Sequence, residues 1–177
     1  MVSYQGKPGL NYLEVGVYEG RSVIWMLENV LTDPSSTVTA IDLSRDLTEY
    51  SPELEARFLV NVKKAGAENR VTVIVGFSQE ELRKLPLDHY DIIYIDGSHM
   101  GPDVLEDVLL SDRLLKEGGM LILDDYLWTT DDPAFPLSED PDLRNPKLAI
   151  DTFIKFFGAH FRIIHWNWQV IMIKESA

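Results

Sequence analysis

Apolar and polar positions along this chain alternate between two rhythms. Short runs of β-branched and aliphatic residues recur at 10–17 (LNYLEVGV), 36–43 (STVTAIDL), 70–76 (RVTVIVG), 90–96 (YDIIYID) and 120–125 (MLILDD). Runs of this length and makeup predict strands that are half or wholly buried. Between them the apolar positions take helical spacing, at 21–31, 51–66, 78–85 and 103–119. The second of these opens on Ser51-Pro52-Glu53, a cap followed by proline at the first helical position, and closes at Gly66. The fourth is expected to stop at Gly118-Gly119.

Strands alternating with helices predict a parallel sheet covered on both faces, the doubly wound, Rossmann-like α/β class, with right-handed crossovers. The tail departs from that rhythm. Residues 149–158 read as a helix, and 161–175 as two β-type runs around a Trp166-Asn167-Trp168 corner. That hairpin predicts an antiparallel strand in an otherwise mostly parallel sheet. Residues 126–147 hold four prolines and many acids. A loop so long inside a compact domain is functional or disordered, and it is expected to be an active-site loop. No linker or repeat divides residues 1–177, so one domain is expected.

Composition narrows the function. The chain has 177 residues, no cysteine, and 16 Lys plus Arg against 29 Asp plus Glu, a formal charge of -13. Such an excess repels phosphate backbones, which argues against nucleic acid as partner. Disulfides, thiolate metal sites and cysteine nucleophiles are excluded. No run reaches the roughly 18 to 20 apolar residues that span a bilayer, and the polar start MVSYQGKPG lacks a signal-peptide core. A cytoplasmic protein is expected.

In a doubly wound sheet, ligands bind beyond the carboxyl ends of the strands. Gly16 and Gly20 follow the first strand there, letting backbone approach a ligand at the start of a helix. The spacing is not the dinucleotide GxGxxG, and Glu14 lies two residues ahead. A nearby carboxylate would repel a pyrophosphate, so a nucleoside site is the better expectation. Asp42 ends the second strand, about twenty residues further on, where a carboxylate can accept from both ribose hydroxyls. Taken alone, it would equally be a cap or turn residue.

Three carboxylates follow the fourth and fifth strands: Asp96 after the fourth, Asp124 and Asp125 after the fifth. Neighbouring strands lie about 4.8 Å apart, so these like charges need something positive among them. Oxygen-only donors suit a hard divalent ion, magnesium above all. His99, three residues past Asp96, titrates near neutrality and is suited to take a proton; a lone histidine after a strand is as readily a loop residue. His89, His160 and His165 are assigned structural roles.

Together YLEVGVYEGRS, AIDLS, VGFSQEEL and DIIYIDGSHM…LLKEGGMLILDDY resemble the class I S-adenosylmethionine-dependent O-methyltransferases. The likeness is to the catechol O-methyltransferase group and to the metal-dependent macrolide-sugar O-methyltransferases. It implies that Glu14 and Gly16 lie by the methionine part of the cofactor, with Tyr18 and Ser22 at its carboxylate end and Gly20 among the cofactor-binding residues. It further implies Asp42 on the ribose, Leu43 on the adenine, and Gly76, Phe77 and Ser78 at the adenine edge. For Phe77 a core aromatic, and for Tyr18 and Ser22 a surface tyrosine and a helix cap, stay open. In the sugar enzymes an Asp-Gly-Ser-His stretch supplies both metal ligand and base, which makes Asp96 and His99 the catalytic pair here. Catechol-type enzymes use a lysine just past that strand, and none follows Asp96 until Lys116.

The implied acceptor is a hydroxylated small molecule, a sugar or natural-product intermediate. With about nine residues before the first strand, the site is expected to lack the family's usual N-terminal helical cover. The loop with Tyr126, Trp128 and Phe135 is one candidate to close the site, and a second subunit of a homo-oligomer is another. The rival readings are a metal-independent or N-methylating enzyme of the same fold, and a non-catalytic nucleotide-binding module.

Overall fold

The structure, a computed structural model, describes residues 2–42, 52–128 and 144–176. The expectations for Leu43, Ser51, Phe135 and the acidic run from Asp131 to Asp142 therefore lie outside the described residues. Among the described residues there are seven strands: β1 (Asn11–Val15), β2 (Thr37–Asp42), β3 (Val71–Val75), β4 (Tyr90–Ile95), β5 (Leu115–Leu123), β6 (Phe161–Trp166) and β7 (Val170–Lys174). Helices α1 (Arg21–Asn29), α2 (Pro52–Lys64), α3 (Ser78–Glu81), α4 (Gly101–Leu114) and α5 (Pro146–Phe157) connect or flank them.

The sheet runs β3-β2-β1-β4-β5-β7-β6. The first five strands in that order pair in parallel, and β7 lies antiparallel to both β5 and β6. This is the mostly parallel, doubly wound sheet with a terminal hairpin that the two rhythms predict.

Register explains why both faces are apolar. Leu13, Ile93, Leu121 and Met172 stand in one row across four strands. All four are fully buried, in a core completed by Val104 and Val108 of α4 and Ile150 and Phe153 of α5. Their neighbours Tyr12, Ile92 and Met120 point the other way, into a second core with Val23 and Leu27 of α1 and Phe58 of α2. Alternation in a strand buried on both sides thus feeds two cores.

The boundary between α4 and β5 differs most from expectation. The helix predicted over 103–119 ends at Leu114, and β5 begins at Leu115. The helical spacing runs on through Leu114-Leu115, but Leu115 pairs with Tyr90 of β4, and an irregularity in that pairing lets Met120 pair with Ile92. Pairing with a distant strand overrode the local pattern.

The register also brings the parallel strands to a common edge. Val15 is level with Ile41 and Ile95, Ile95 with Leu123, and Asp42 with Val75. The segments after β1, β3, β4 and β5 meet there.

Candidate active site

Gly16 seats the first segment. Its φ is +84°, and a Cβ on it would sit 2.1 Å from the Asp96 carbonyl oxygen. Only glycine allows both that backbone conformation and that approach. The turn continues through Tyr18, whose φ is +47°, to Gly20 at φ +83°, packed on the Phe58 ring. Asp42 fixes the turn: its Oδ2 accepts from the Val17 and Tyr18 N–H groups at 2.8 Å each. The expected ribose acceptor is therefore also the organiser of the glycine loop.

Glu14 lies beneath this loop, fully buried. It accepts from the Tyr12 and Ser22 hydroxyls. Burial pushes its carboxyl up to about 8; the two hydroxyls oppose the shift, and the charges of Asp96 and Asp42 add to it. Ser22, expected at the cofactor's carboxylate end, spends its proton on Glu14 yet still lines the groove with Gly16, Tyr18 and Asp96.

Beyond Asp42 a narrower cleft of about 280 Å³ is lined by Gly16, Asp42, Gly76, Phe77, Ser78 and His99, among others. The proposed adenine and ribose residues are thus brought together, apart from the undescribed Leu43. Phe77 is 41% exposed, so it is not a core aromatic; its ring is available to a ligand.

At the other end lies an acidic pocket of about 490 Å³, lined by Asp96, Asp124, Asp125, His165, Asn167, Trp168 and Gln169. Asp125 has φ +56°, the turn that adjacent aspartates need if both are to face one site. Its N–H donates to Asp124 Oδ1 at 2.8 Å. Asp124 also accepts from the Tyr94 hydroxyl and from Gln169 Nε2, the latter at 2.8 Å. Asp125 Oδ2 lies 2.8 Å from His99 Nε2, and the His99 ring rests against Trp128 with centroids 4.3 Å apart.

Asp96 is open to water on its pocket side. The protein packed behind it, with the charges of Asp124 and Asp125, nevertheless raises its carboxyl to about 7. Among the described residues, no three His, Asp or Glu side chains stand as a ready-made cage for an ion. The three carboxylates share a pocket, in which Asp124 is met by Tyr94 and Gln169 and Asp125 by His99.

Sequence reasoning missed Tyr94, Gln169 and His165 here. Tyr94 shares the β4 face opposite Ile93, and its polar tip at the strand's carboxyl end was the available signal. Gln169 and His165 come from the hairpin corner, whose position over Asp124 no local pattern carries.

Residues 13–126 match the family model described as "Methyltransferase domain". The chain belongs to this methyltransferase family. A catechol O-methyltransferase of Sus scrofa is 31% identical over 121 residues, 65% of this chain and 59% of that one. A catechol O-methyltransferase of Mycobacterium tuberculosis is 26% identical over 115 residues, 65% of this chain and 47% of that one. The chain thus spans about half to three-fifths of these relatives' length.

Solved structures share the fold. The O-methyltransferase TomG of Streptomyces achromogenes, in complex with SAM, superposes with a TM-score of 0.68 at 16% identity, over 94% of this chain and 73% of that one. The O-methyltransferase of Bacillus cereus, in complex with SAH, gives 0.66 at 18% identity, over 93% and 74%. No described helix of the chain is long and apolar enough to cross a membrane.

Proposed function

We propose that this domain transfers a methyl group from S-adenosylmethionine to a hydroxyl of a small molecule, a sugar or natural-product intermediate, assisted by a divalent cation. One observation carries the reading: three hollows at the sheet's carboxyl edge share lining residues. Gly16 lines both the Asp42–Phe77 cleft and the Ser22 groove, and Asp96 lines both that groove and the acidic pocket. A nucleoside wall, an amino-acid wall and an acidic end follow one another along one cleft. The names of the curated relatives, catechol O-methyltransferases, support a hydroxyl acceptor.

When bound, S-adenosylmethionine supplies an activated methyl group on a positively charged sulfur. The chain's own residues bind and orient it. Asp42, Gly76, Phe77 and Ser78 take the nucleoside, while Gly16, Tyr18, Gly20 and Ser22 take the amino-acid end. Glu14 adds negative charge beneath them whenever it is ionised. His99, held by Asp125 and stacked on Trp128, takes up the acceptor's hydroxyl proton. Holding acceptor and methyl group in line converts an encounter into an intramolecular step.

The donor set fits a hard cation. Asp96, Asp124 and Asp125 present only oxygens to one pocket, and burial together with the neighbouring like charges raises Asp96, an imbalance that a divalent ion relieves. Bound magnesium would supply a pKa-lowering charge next to an acceptor hydroxyl. A metal-free variant of the reading has its own support: Tyr94, Gln169 and the Asp125 N–H already satisfy Asp124, and His99 pairs with Asp125.

Titration calorimetry with S-adenosylhomocysteine, and with NAD as the rival ligand, tests the proposal. Micromolar S-adenosylhomocysteine binding that weakens tenfold or more in Asp42→Ala is expected; binding of NAD alone would overturn it. Magnesium titrated into the cofactor-loaded protein should bind in wild type and not in Asp96→Ala. No divalent binding in wild type would select the metal-free variant.

A further inference from the structure

Two carboxylates one turn apart on α4 reach the two lips of the cleft that Phe77 lines. Asp103 Oδ2 accepts from Ser98 Oγ at 2.8 Å, and Ser98 Oγ accepts in turn from the Met100 N–H at 3.1 Å. Asp107 Oδ2 accepts from Ser78 Oγ at 2.9 Å. Ser98 belongs to the segment after β4, and Ser78 opens α3 just after β3; both line the cleft, with Phe77, Gly97 and His99. Positions i and i+4 share one face of a helix, so a single rigid element holds both lips.

The sheet does not do this by itself. β2 and β1 lie between β3 and β4 in the strand order. The two loops are therefore separated by two strands, and their spacing depends on what bridges them. The described side-chain bridges run from α4.

Asp107 is poorly explained as a stability residue. It is fully buried, its Oδ1 has no hydrogen-bond partner, and the Ser111 hydroxyl one turn further on is likewise buried without one. A buried carboxyl with an orphan oxygen costs stability relative to an apolar side chain of similar volume. Burial raises the Asp107 carboxyl to about 7, against the opposing pull of the Ser78 hydroxyl. A residue unfavourable where it sits, and bonded only to a cleft wall among the described contacts, points to positioning.

We propose that Asp103 and Asp107 set the width of the nucleoside cleft, Asp103 acting through Ser98 and Asp107 through Ser78, as positioning residues for the cofactor. The inference rests on the cofactor reading above and names what makes the cleft fit.

Calorimetry with S-adenosylhomocysteine on wild type, Asp107→Leu, Asp107→Asn and Asp103→Ala reads both the dissociation constant and the fraction of competent sites. Asp107→Leu is expected to raise the constant about fivefold or more, the worth of one lost hydrogen bond, with stoichiometry unchanged. Asp107→Asn, whose amide oxygen still accepts from Ser78, should stay within about twofold of wild type by the same reasoning. A purely structural role would lower the stoichiometry and leave the constant of the surviving sites unchanged, which would overturn the proposal. So would a leucine variant that binds as tightly as wild type. Should Asp107→Leu fail to fold, Asp103→Ala on the partly exposed first turn decides: a several-fold weaker constant supports the clamp, and an unchanged one refutes it. Wild type that does not bind S-adenosylhomocysteine at all refutes the cofactor reading itself, and is told apart from these outcomes by needing no variant.

Discussion

Gly16 answers two demands with one residue, a φ of +84° and a Cβ position only 2.1 Å from a backbone oxygen. Because the obstacle is backbone rather than a flexible side chain, Gly16→Ala must displace the Asp96 segment or the glycine turn. We expect a loss of at least about 2 kcal/mol, seen as a fall of roughly 4–8 °C in thermal midpoint for a chain of this size. A midpoint within a degree of wild type would mean that the two loops separate freely. Glycines and strand-end acids such as Gly16, Asp42 and Asp96 were legible in the sequence, since backbone geometry and sheet topology dictate where they fall. The state of Glu14 was not. Read as a charge that would repel a pyrophosphate, it is instead buried between Tyr12 and Ser22 with its carboxyl raised to about 8. Its i, i+2 relation to Tyr12 put both on one strand face, but the depth of that face is set by α1. Nor was the triad of Tyr94, Gln169 and Asp124 legible, because its members lie 30 and 45 residues apart along the chain.

At the scale of elements, strands and helices were readable where the local period and the tertiary pairing agree. They disagree at the α4–β5 junction, where helical spacing continues past the point at which the strand begins. The structure shows what holds that junction. Lys174 of β7 donates from Nζ to the carbonyls of Asp112 and Leu115 at 2.6 and 3.1 Å, and lies 3.1 Å from Asp112 Oδ1. The last carbonyls of a helix lack intrahelical partners and carry partial negative charge. A cation delivered from the final strand satisfies them, with its side chain only 17% exposed. Lys174→Met keeps most of the apolar stem and removes the charge, leaving those acceptors unmet. It should cost about 1–3 kcal/mol, measured as a lower urea midpoint with unchanged slope. An unchanged midpoint would show that water replaces the ammonium without loss. The same contact makes the terminal hairpin more than an added strand, for it ties the chain's end to the helix that spans the cleft.

For the molecule as a whole, charge and burial push stability in the same direction. Glu14 and Asp107 are fully buried, with carboxyls near 8 and 7, against about 4.3 and 3.9 in an unfolded chain. Between those limits the folded chain holds more protons than the unfolded one. Stability therefore falls as pH rises from about 5 to about 8, by up to roughly 1.4 kcal/mol per pH unit for each group. The net charge of -13 adds a second cause with the same sign, since self-repulsion grows as acids ionise. Salt separates the two. At 1 M the screening length is about 3 Å, which silences exposed charges but not buried ones. Thermal midpoints at pH 5, 6, 7 and 8 should therefore decline in both low and high salt, less steeply in high salt. The slope remaining at 1 M should flatten in Glu14→Gln, which keeps the contacts with Tyr12 and Ser22 but cannot ionise. If that slope vanishes in wild type at 1 M salt, surface repulsion alone accounts for it. If midpoints instead rise from pH 5 to 8, the buried carboxyls are ionised and held by their hydroxyl partners, and burial does not raise Glu14 to about 8.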